Sequence, residues 1–381
     1  MLRSLATLVC FLTYVNVAFA QVERAWLTHK STDPSRVVVN WETSEPGNSV
    51  VHYGPTSSVE HARAIEENVT LHHVGIPPEP RSGACYYSVQ TGVHTSPVAC
   101  FKAYAGDELR VAVIADLQGK PELPGLLKDN VHIVMTAGDN VPNLWEGGDG
   151  RMDCTKPYSK LIDAYPELFR TTLFMPVLGN HDKEVRPRGS APPKEPVYDV
   201  NATAFRTFFE LPDDEWKWRF DVPRFDVRFI ALDLNHISDM GTTWQACHPF
   251  AAGSEQSEWY DRLTQRTDRR FVVTLCNEQN ANIRAKEGRR WHRMFRRGTI
   301  CITGFGYFAE RAVFEGHPYF NTSLSGRGDR YPDPHSQFLA SQDNYILLTF
   351  HREPSEMIVD LKALDGTVLD RTRYSGREHS E

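Results

Sequence analysis

Side chains of the kinds that bind metal ions or transfer protons follow three apolar stretches of the chain. The stretches are residues 109–115, 132–136 and 173–178, and each has the composition of a strand buried on both faces. The polar residues just beyond them include Asp116, Asp139, Asn180 and His181. In layered α/β proteins, ligands bind outside the carboxyl ends of neighbouring strands. We therefore expect these four side chains to converge on one site.

Each residue also has a purely structural interpretation, because Asp and Asn after a strand often cap a helix or shape a turn. The ordered set is more specific than its members. Asp116, then Gly138-Asp139-Asn140, then Gly179-Asn180-His181-Asp182 resembles the signature of the calcineurin-like metallophosphoesterases. That order, with each member at the end of an apolar stretch, predicts the fold of this superfamily.

Further stretches narrow the resemblance to one branch. Residues 208–212, 229–233 and 308–311 are similar to landmarks of the purple acid phosphatases. The resemblance implies an α/β fold, a layered β-sandwich flanked by helices. It also implies two metal ions, which polarise a phosphate and activate a bridging hydroxide.

The resemblance assigns a role to each of the four residues. Asp116 would be a ligand of the first metal, Asp139 the carboxylate that bridges both metals, and Asn180 an amide-oxygen ligand of the second. His181 would lie beside the substrate, where it contacts the phosphate or acts as general acid on the leaving oxygen. The alternative for His181 is a histidine that only caps or orients Asp182.

The chain departs from the purple acid phosphatase pattern at five positions. Pro142 stands where the family has a tyrosine ligand. The strand 271–275 runs into Cys276-Asn277 instead of a histidine, and Phe305 and Tyr307 replace the two histidines of Gly-His-x-His. Since every imidazole ligand is lost, a dinuclear iron or zinc centre is not expected.

The remaining donors are rich in oxygen. The set consists of two carboxylates and an amide, with Gln118 nearby in sequence. We therefore expect either no tightly bound metal or one weakly bound Mg²⁺, Mn²⁺ or Ca²⁺ ion. Cys276 is either a soft metal ligand, a buried thiol or half of a disulfide. Glu310 and Arg311 fit a structural pair behind the loop as well as a ligand role.

The leading hypothesis is a secreted pseudophosphatase that binds a phosphorylated or other anionic ligand, or a protein partner, without a dinuclear metal centre. The alternative is a remodelled metal-dependent phosphoesterase. It would hydrolyse phosphomonoesters or phosphodiesters at a mononuclear hard-cation site, with His181 as general acid. A third hypothesis is an interaction module that relies on the N-terminal strands. The lost ligands favour a catalytically impaired protein.

The chain divides into three parts. Residues 1–20 have the charged start, apolar stretch and Ala18-Phe19-Ala20 ending of a signal peptide, which predicts a secreted or extracytoplasmic protein. Residues 21–105 carry short alternating strands and resemble the fibronectin-III-like domain of plant-type purple acid phosphatases. Residues 106–376 form the predicted metallophosphoesterase domain, and Asp365-Gly366 predicts a hairpin near its end.

Export permits disulfides among the six cysteines that follow the predicted signal peptide. Cys85 and Cys100 flank a turn in two strand-like stretches, and we predict a cross-strand bond between them. No other stretch after residue 20 is apolar over the length of a membrane span.

The charge of the chain argues against nucleic acid as a partner. The formal net charge is -7, and the basic residues form no long run, although several arginines cluster between residues 289 and 297. The sequence therefore predicts a globular protein that binds neither nucleic acid nor, through a spanning segment, a membrane.

Overall fold

The structure is a computed structural model of the chain and describes residues 21–77, 83–148, 151–324 and 331–376. The predicted signal peptide, residues 1–20, lies outside the described residues. Within the described residues, no helix is both long enough and apolar enough to cross a membrane.

Nineteen strands and seven α-helices make up the described fold. The strands are β1 Val22–Thr28, β2 Val37–Gly54, β3 His61–Ile76, β4 Ala84–Thr91, β5 His94–Thr95, β6 Ala99–Lys102, β7 Glu108–Ile114, β8 Ile133–Thr136, β9 Leu173–Met175, β10 Trp218–Val222, β11 Val227–Ala231, β12 Phe271–Cys276, β13 Ile300–Thr303, β14 Ala309–Phe314, β15 His317–Asn321, β16 Ser336–Ala340, β17 Asn344–His351, β18 Glu356–Ala363 and β19 Val368–Ser375. The α-helices are α1 Pro124–Asp129, α2 Trp145–Gly148, α3 Lys156–Ala164, α4 Pro166–Thr171, α5 Thr203–Phe208, α6 Glu255–Gln265 and α7 Asn280–Phe295. Short 3₁₀ helices span Leu117–Gly119, His181–Lys183, Pro223–Phe225 and Ile237–Asp239.

The strands form two large sheets. The first has twelve strands in the order β19-β18-β17-β7-β8-β9-β1-β2-β4-β5, with β3 on β2 and β6 on β4. The second has seven strands in the order β10-β11-β12-β13-β15-β14-β16. Strands β7, β8 and β9 run parallel, as do β11, β12, β13 and β15. The carboxyl ends of the central strands therefore gather at one edge of each sheet.

The two sheets pack face to face. The ring of Phe350 on β17 lies 5.8 Å from that of Phe229 on β11 and 5.6 Å from that of Phe271 on β12, between ring centroids. A second buried cluster, which includes Tyr260 and Trp291, lies between the seven-stranded sheet and helices α6 and α7. This confirms the mixed α/β class, because large sheets pack together with a few helices on their outer sides.

The N-terminal strands extend the first sheet. Strand β1 pairs with β9 in parallel through Leu27 and Leu173, and β1 also pairs with β2. Trp26 and Trp41 from these strands belong to the same buried core as β7 and β8. A fibronectin-III-like sandwich over residues 21–105 is therefore not confirmed, and the domain boundary at residue 105 stays a prediction.

The predicted disulfide between Cys85 and Cys100 is wrong. The register of β4 against β6 places Cys85 opposite Phe101 and Cys100 opposite Tyr86. Because neighbouring residues of a strand point to opposite faces, the two sulfurs lie on different sides of the sheet. Cys85 is fully buried, whereas Cys100 is exposed and has a free thiol.

The C-terminal hairpin follows the prediction. Strands β18 and β19 pair antiparallel around Asp365-Gly366, and the Gly366 N–H donates to the Ala363 carbonyl at 2.9 Å. Gly366 has φ 98°, which a residue with a side chain rarely adopts. The positive φ that the turn requires therefore accounts for the glycine of the Asp-Gly pair.

Candidate functional site

Asp116 and Asp139 meet beyond the ends of β7 and β8. Both have left-handed backbone conformations, with φ 57° and 56°, and the Asp116 N–H donates to the Gly138 carbonyl at 3.2 Å. A residue with a side chain adopts this conformation at a cost, so each strand ends in a strained turn. Burial is the largest cause that raises the pKa of Asp116 well above its usual range, and the charge of the Asp139 carboxylate is the second.

The segment after β9 approaches Asp139 closely because Gly179 has no side chain. A Cβ on Gly179 would lie 2.0 Å from Asp139 Oδ1 and 2.3 Å from the Asp139 nitrogen. The backbone N–H of His181 donates to Asp139 Oδ1 at 3.1 Å. Asn180, which lies between Gly179 and His181 in the chain, is buried. The structure thus brings together all four residues that the sequence places at the first three strand ends.

His181 carries a positive charge at neutral pH. Burial alone would lower its pKa, but the Asp139 carboxylate, Glu184 and the Pro142 carbonyl together raise it to about 10. The ring Nδ1 donates to Pro142 O at 2.6 Å and lies 3.2 Å from Glu184 Oε2. The backbone carbonyl of Pro142 therefore contributes to the orientation of the His181 ring.

Asp182 has a separate structural role. Its carboxylate accepts hydrogen bonds from Gly179 N at 2.8 Å and from Asn140 Nδ2 at 3.0 Å, and it is fully buried. Burial and the charge of Asp139 raise its pKa to about 7. Asp182 therefore holds the segments after β8 and β9 together. The His181 ring contacts Glu184 and Pro142 and does not orient Asp182.

Cys276 and Asn277 are the two residues at the strand end where the resemblance implies a histidine ligand, and the amide nitrogen of Asn277 acts as a donor. Nδ2 donates to the Ala137 carbonyl at 2.9 Å and to the Gly304 carbonyl at 2.6 Å. A Cβ on Gly138 would lie 2.5 Å from the Cβ of Asn277. The side chain therefore fills the space beside Gly138 and links β8 of the twelve-stranded sheet to β12 and β13 of the other.

Cys276, the neighbouring position, is a buried neutral thiol. Burial, with a smaller contribution from Glu278, raises its pKa above the ordinary range. It forms no disulfide in the structure. A thiol in this protonated state is a poor metal ligand, since thiolates are the binding form.

Phe305 and Tyr307 lie in a loop that Asn321 holds in place. Asn321 Oδ1 accepts from Phe305 N at 3.0 Å, and its Nδ2 donates to the Phe308 carbonyl at 2.8 Å. The Phe305 ring lies 5.8 Å from that of Tyr331, and Tyr307 has φ 65°. The loop is thus fixed by backbone hydrogen bonds and aromatic packing.

Ser323 belongs to the site although no sequence pattern indicates it. Its hydroxyl donates to Asp116 Oδ2, and the serine is fully buried. The next residue, Leu324, donates its N–H to the Ala115 carbonyl at 3.1 Å. These contacts form a second link between the sheets, from the segment after β15 to the end of β7.

Arg188 and His236 are further residues that the sequence analysis missed. Arg188 Nη1 lies 2.9 Å from His236 Nδ1, and Nη2 donates to Asp239 Oδ2 at 2.5 Å. The guanidinium carbon sits 4.7 Å from the Trp244 ring centroid. Because a guanidinium only donates, Nδ1 accepts and Nε2 carries the proton of the imidazole.

The environment of His236 places it close to the carboxylates of the site. Burial and the charge of Arg188 lower its pKa, while Asp139 and Glu278 oppose that shift. Arg188 and His236 are 33% and 28% exposed, so both side chains reach solvent near these carboxylates. We call this pair the outer donors of the site.

Glu310 and Arg311 do not pair with each other. Glu310 is buried and accepts from the Asp333 N–H at 2.8 Å, whereas Arg311 Nε donates to Asp370 at 2.6 Å. Burial raises the pKa of Glu310 to about 7. Each residue holds a different neighbouring segment.

The donor set does not fit a dinuclear metal centre. In the part of the chain that the structure describes, no group of three His, Cys, Asp or Glu side chains could hold a metal ion. The Asp116 carboxyl accepts a hydrogen bond from the Ser323 hydroxyl, and the Asn277 amide donates its N–H groups to two carbonyls.

No family model matches the chain, and no curated protein matches it in sequence. Among solved structures, the chain is similar to GAP50, the anchor in the inner membrane complex of Plasmodium, with 13% identity over 72% of this chain and 90% of that chain at a TM-score of 0.46. It is similar to a predicted phosphoesterase from Streptococcus pneumoniae, with 13% identity, coverages of 71% and 99% and a TM-score of 0.32. It is also similar to Vacuolar Protein Sorting 29 from Cryptosporidium parvum, with 12% identity, coverages of 71% and 100% and a TM-score of 0.34. All three similarities are at low sequence identity and have TM-scores below 0.5.

Proposed function

We propose that this protein is a secreted, purple acid phosphatase-like pseudophosphatase. Its site binds an anionic ligand or a protein partner without a dinuclear metal centre. The observation that carries the proposal is the amide of Asn277, which donates to the carbonyls of Ala137 and Gly304 where a metal ligand would be expected. The amide nitrogen of Asn277 offers no electron pair to a metal ion, unlike the imidazole nitrogen that the resemblance implies at this strand end.

The links between the sheets support the same proposal. In a dinuclear enzyme the metal ions join ligands from several strand ends. In this chain Asn277 and Ser323 join the same strand ends through hydrogen bonds. Such links hold the strand ends together without a cation.

The charges favour the outer donors as the contact for an anionic group. The inner part of the site holds the buried side chains of Asp116 and Asp139, and the Asp139 carboxylate repels an anion. Arg188 and the Nε2–H of His236 are donors that reach solvent. We therefore place the negatively charged group of the ligand against Arg188 and His236, outside the former ligand positions.

The catalytic alternative has one feature in its favour, namely the preserved proximity of Asp116, Asp139 and Asn180. An assay of phosphomonoester and phosphodiester hydrolysis with Mg²⁺, Mn²⁺, Ca²⁺ and Zn²⁺ separates the two functions. The proposal predicts equal background rates for the wild type and for Asp139→Ala with every ion. A metal-dependent rate that Asp139→Ala abolishes would establish the hydrolase and overturn the pseudophosphatase.

A binding assay tests the placement of the ligand. Phenyl phosphate in the presence of EDTA should bind the wild type, and Arg188→Met should weaken that binding about tenfold because a charge-assisted contact is lost. Arg186→Met is the matched control, since Arg186 lies in the same segment and pairs with Glu195 instead. Equal losses in both variants would refute the role of Arg188.

A further inference from the structure

A depression lined by three arginines lies at the opposite end of the parallel strands from the candidate site. It has a volume of about 500 Å³ and includes Arg224, Arg270 and Arg352. Arg270 directly precedes β12, Arg224 lies just before β11, and Arg352 follows β17. We call it the arginine depression. No step of the proposed function uses it.

The arginines have weak partners. Arg352 Nη1 lies 3.1 Å and Arg224 Nη2 lies 3.6 Å from the same carboxylate oxygen of Asp107, whose side chain is 87% exposed. Arg270 Nε lies 3.2 Å from Asp226. Ion pairs this exposed contribute little to stability, so an incoming anion can replace them at low cost. Two guanidinium groups that already share one carboxylate have the spacing to share another oxyanion.

The stems of these arginines are held by the backbone around them. Arg224 Nε donates to the Gly106 carbonyl at 2.9 Å, and the Arg352 N–H donates to the Asp107 carbonyl at 3.3 Å. A Cβ on Gly376 would lie 3.0 Å from the Arg270 Cδ, so the Arg270 side chain packs directly against the chain there. Partly fixed guanidinium groups lose less conformational entropy when they bind an anion.

The negative charges around the depression are limited. Glu353 and Asp226 are the acidic residues of the lining. Asp226 also lies 3.9 Å from Arg269, so its charge is divided between two arginines. His351 in the lining lies 3.9 Å from Glu108. Three arginines thus meet two carboxylates of the lining, and a third carboxylate, the exposed Asp107 beside the lining, pairs with two of them.

We propose that the arginine depression is a binding site for a tetrahedral oxyanion, the phosphate or sulfate group of an ester. Planar guanidinium groups donate two parallel hydrogen bonds to such a group, and three of them can surround its oxygens. The site is independent of the candidate site at the other end of the strands, and either can fail while the other stands.

Isothermal titration calorimetry of the full-length chain with glucose 6-phosphate and glucose 6-sulfate at low ionic strength tests the site. The two esters differ only in the anionic group, so their relative affinities identify the natural source. Arg270→Met and Arg352→Met should each weaken binding about fivefold or more, the loss expected for one charge-assisted contact. Glu353→Gln should strengthen binding about twofold, because it removes a repelling charge from the lining.

Arg373→Met is the matched control, since Arg373 is an exposed arginine paired with Glu356 and lies outside the lining. It should leave both affinities unchanged. Equal weakening by Arg373→Met would show a general effect of net charge and overturn the site, as would an absence of saturable binding of both esters to the wild type. Tighter binding by Glu353→Gln cannot result from misfolding, so that variant separates loss of the site from loss of structure.

Discussion

The two halves of the candidate site come from different sheets and have changed to different degrees. Asp116, Asp139 and Asn180 follow strands of the twelve-stranded sheet, and all three keep the residue types of the phosphatase pattern. Asn277 and Tyr307 follow strands of the seven-stranded sheet, where every expected imidazole is replaced. Replacement of the expected imidazoles is thus confined to the seven-stranded sheet, whereas the twelve-stranded sheet departs from the pattern at Pro142, after β8.

The contacts between the two halves show how the sheets are joined at these strand ends. Asn277 reaches across to the Ala137 carbonyl of the first sheet, and Ser323 reaches across to Asp116. In both contacts the residue from the second sheet donates and the first sheet accepts. The Asp116 carboxylate and the Ala137 carbonyl therefore have donors from the second sheet as their partners.

The largest loss of stability is expected from a substitution in a buried network of charged side chains at a strand end of the second sheet. Asp233 follows β11, is fully buried and accepts from Lys183 at 2.5 Å and His248 at 2.7 Å. Asp233→Asn leaves the Lys183 ammonium buried without its counter-ion, so it should lower the free energy of unfolding at pH 7 by about 4 kcal/mol. Asp163→Asn, at a half-exposed partner of Arg24, should cost less than about 1 kcal/mol.

The pH dependence of the same variant sharpens the test. Burial alone would raise the pKa of Asp233, but Lys183 and His248 outweigh it and lower the pKa to about 2. The stabilisation is therefore complete above the unfolded value near 3.8 and is lost as the pH falls towards 2. Chemical denaturation across this range should show the difference between wild type and Asp233→Asn shrinking with falling pH, and a constant difference would contradict the assignment.

Asn277→Asp should have the next largest effect. A carboxylate would face the carbonyls of Ala137 and Gly304, which offer it no hydrogen, in a buried position. The free energy of unfolding should fall by about 3 kcal/mol in urea denaturation. The exposed Asn201→Asp provides the control, and a similar small change in both variants would remove Asn277 as the link between the sheets.

Gly179→Ala tests the approach of the third strand end to Asp139. The new Cβ would lie 2.0 Å from Asp139 Oδ1, so we expect a loss of about 2 kcal/mol from forced displacement. Gly119 serves as the control, because nothing lies within 4 Å of a Cβ built on it. A Gly179→Ala protein as stable as Gly119→Ala would mean that the retained half of the site is loosely packed.

The smallest effect concerns Glu310 in the second sheet. Burial raises its pKa to about 7, so its stabilising form is the neutral one, and stability is lost as the pH rises from 4.5 through 7. Glu310→Gln keeps an acceptor for the Asp333 N–H and removes the charge. Thermal melting should show the variant gaining stability relative to the wild type at pH 8 but not at pH 4, whereas a uniform change at both values would point to packing alone.

The sequence predicts the strands of the fold better than the contacts between them. The apolar stretches at 109–115 and 132–136 are β7 and β8, as their composition indicates. The helical segment between residues 156 and 171 divides into α3 and α4 at Pro166, which begins the second helix because its ring cannot continue the first. The disulfide prediction failed on a register difference of one residue, which composition does not reveal.

The site is predictable to a similar degree. Asp116, Asp139 and His181 lie close together, because the segments that follow β7, β8 and β9 meet at one edge of the sheet. Ser323 bonds to Asp116 across 207 positions of sequence, so no local pattern could connect the two. The sequence shows that no histidine stands at residues 276 and 277. It does not show that the Asn277 amide donates to the carbonyls of Ala137 and Gly304, because only the packed sheets bring these groups together.

The metal content of the purified protein tests the central claim most directly. Protein produced in medium supplemented with iron, zinc and manganese would be measured by inductively coupled plasma mass spectrometry. The account predicts far less than one metal ion per chain, because Asn277 and Ser323 hold the strand ends through hydrogen bonds. A stoichiometry of about two tightly bound ions per chain, as in a dinuclear phosphoesterase, would contradict it.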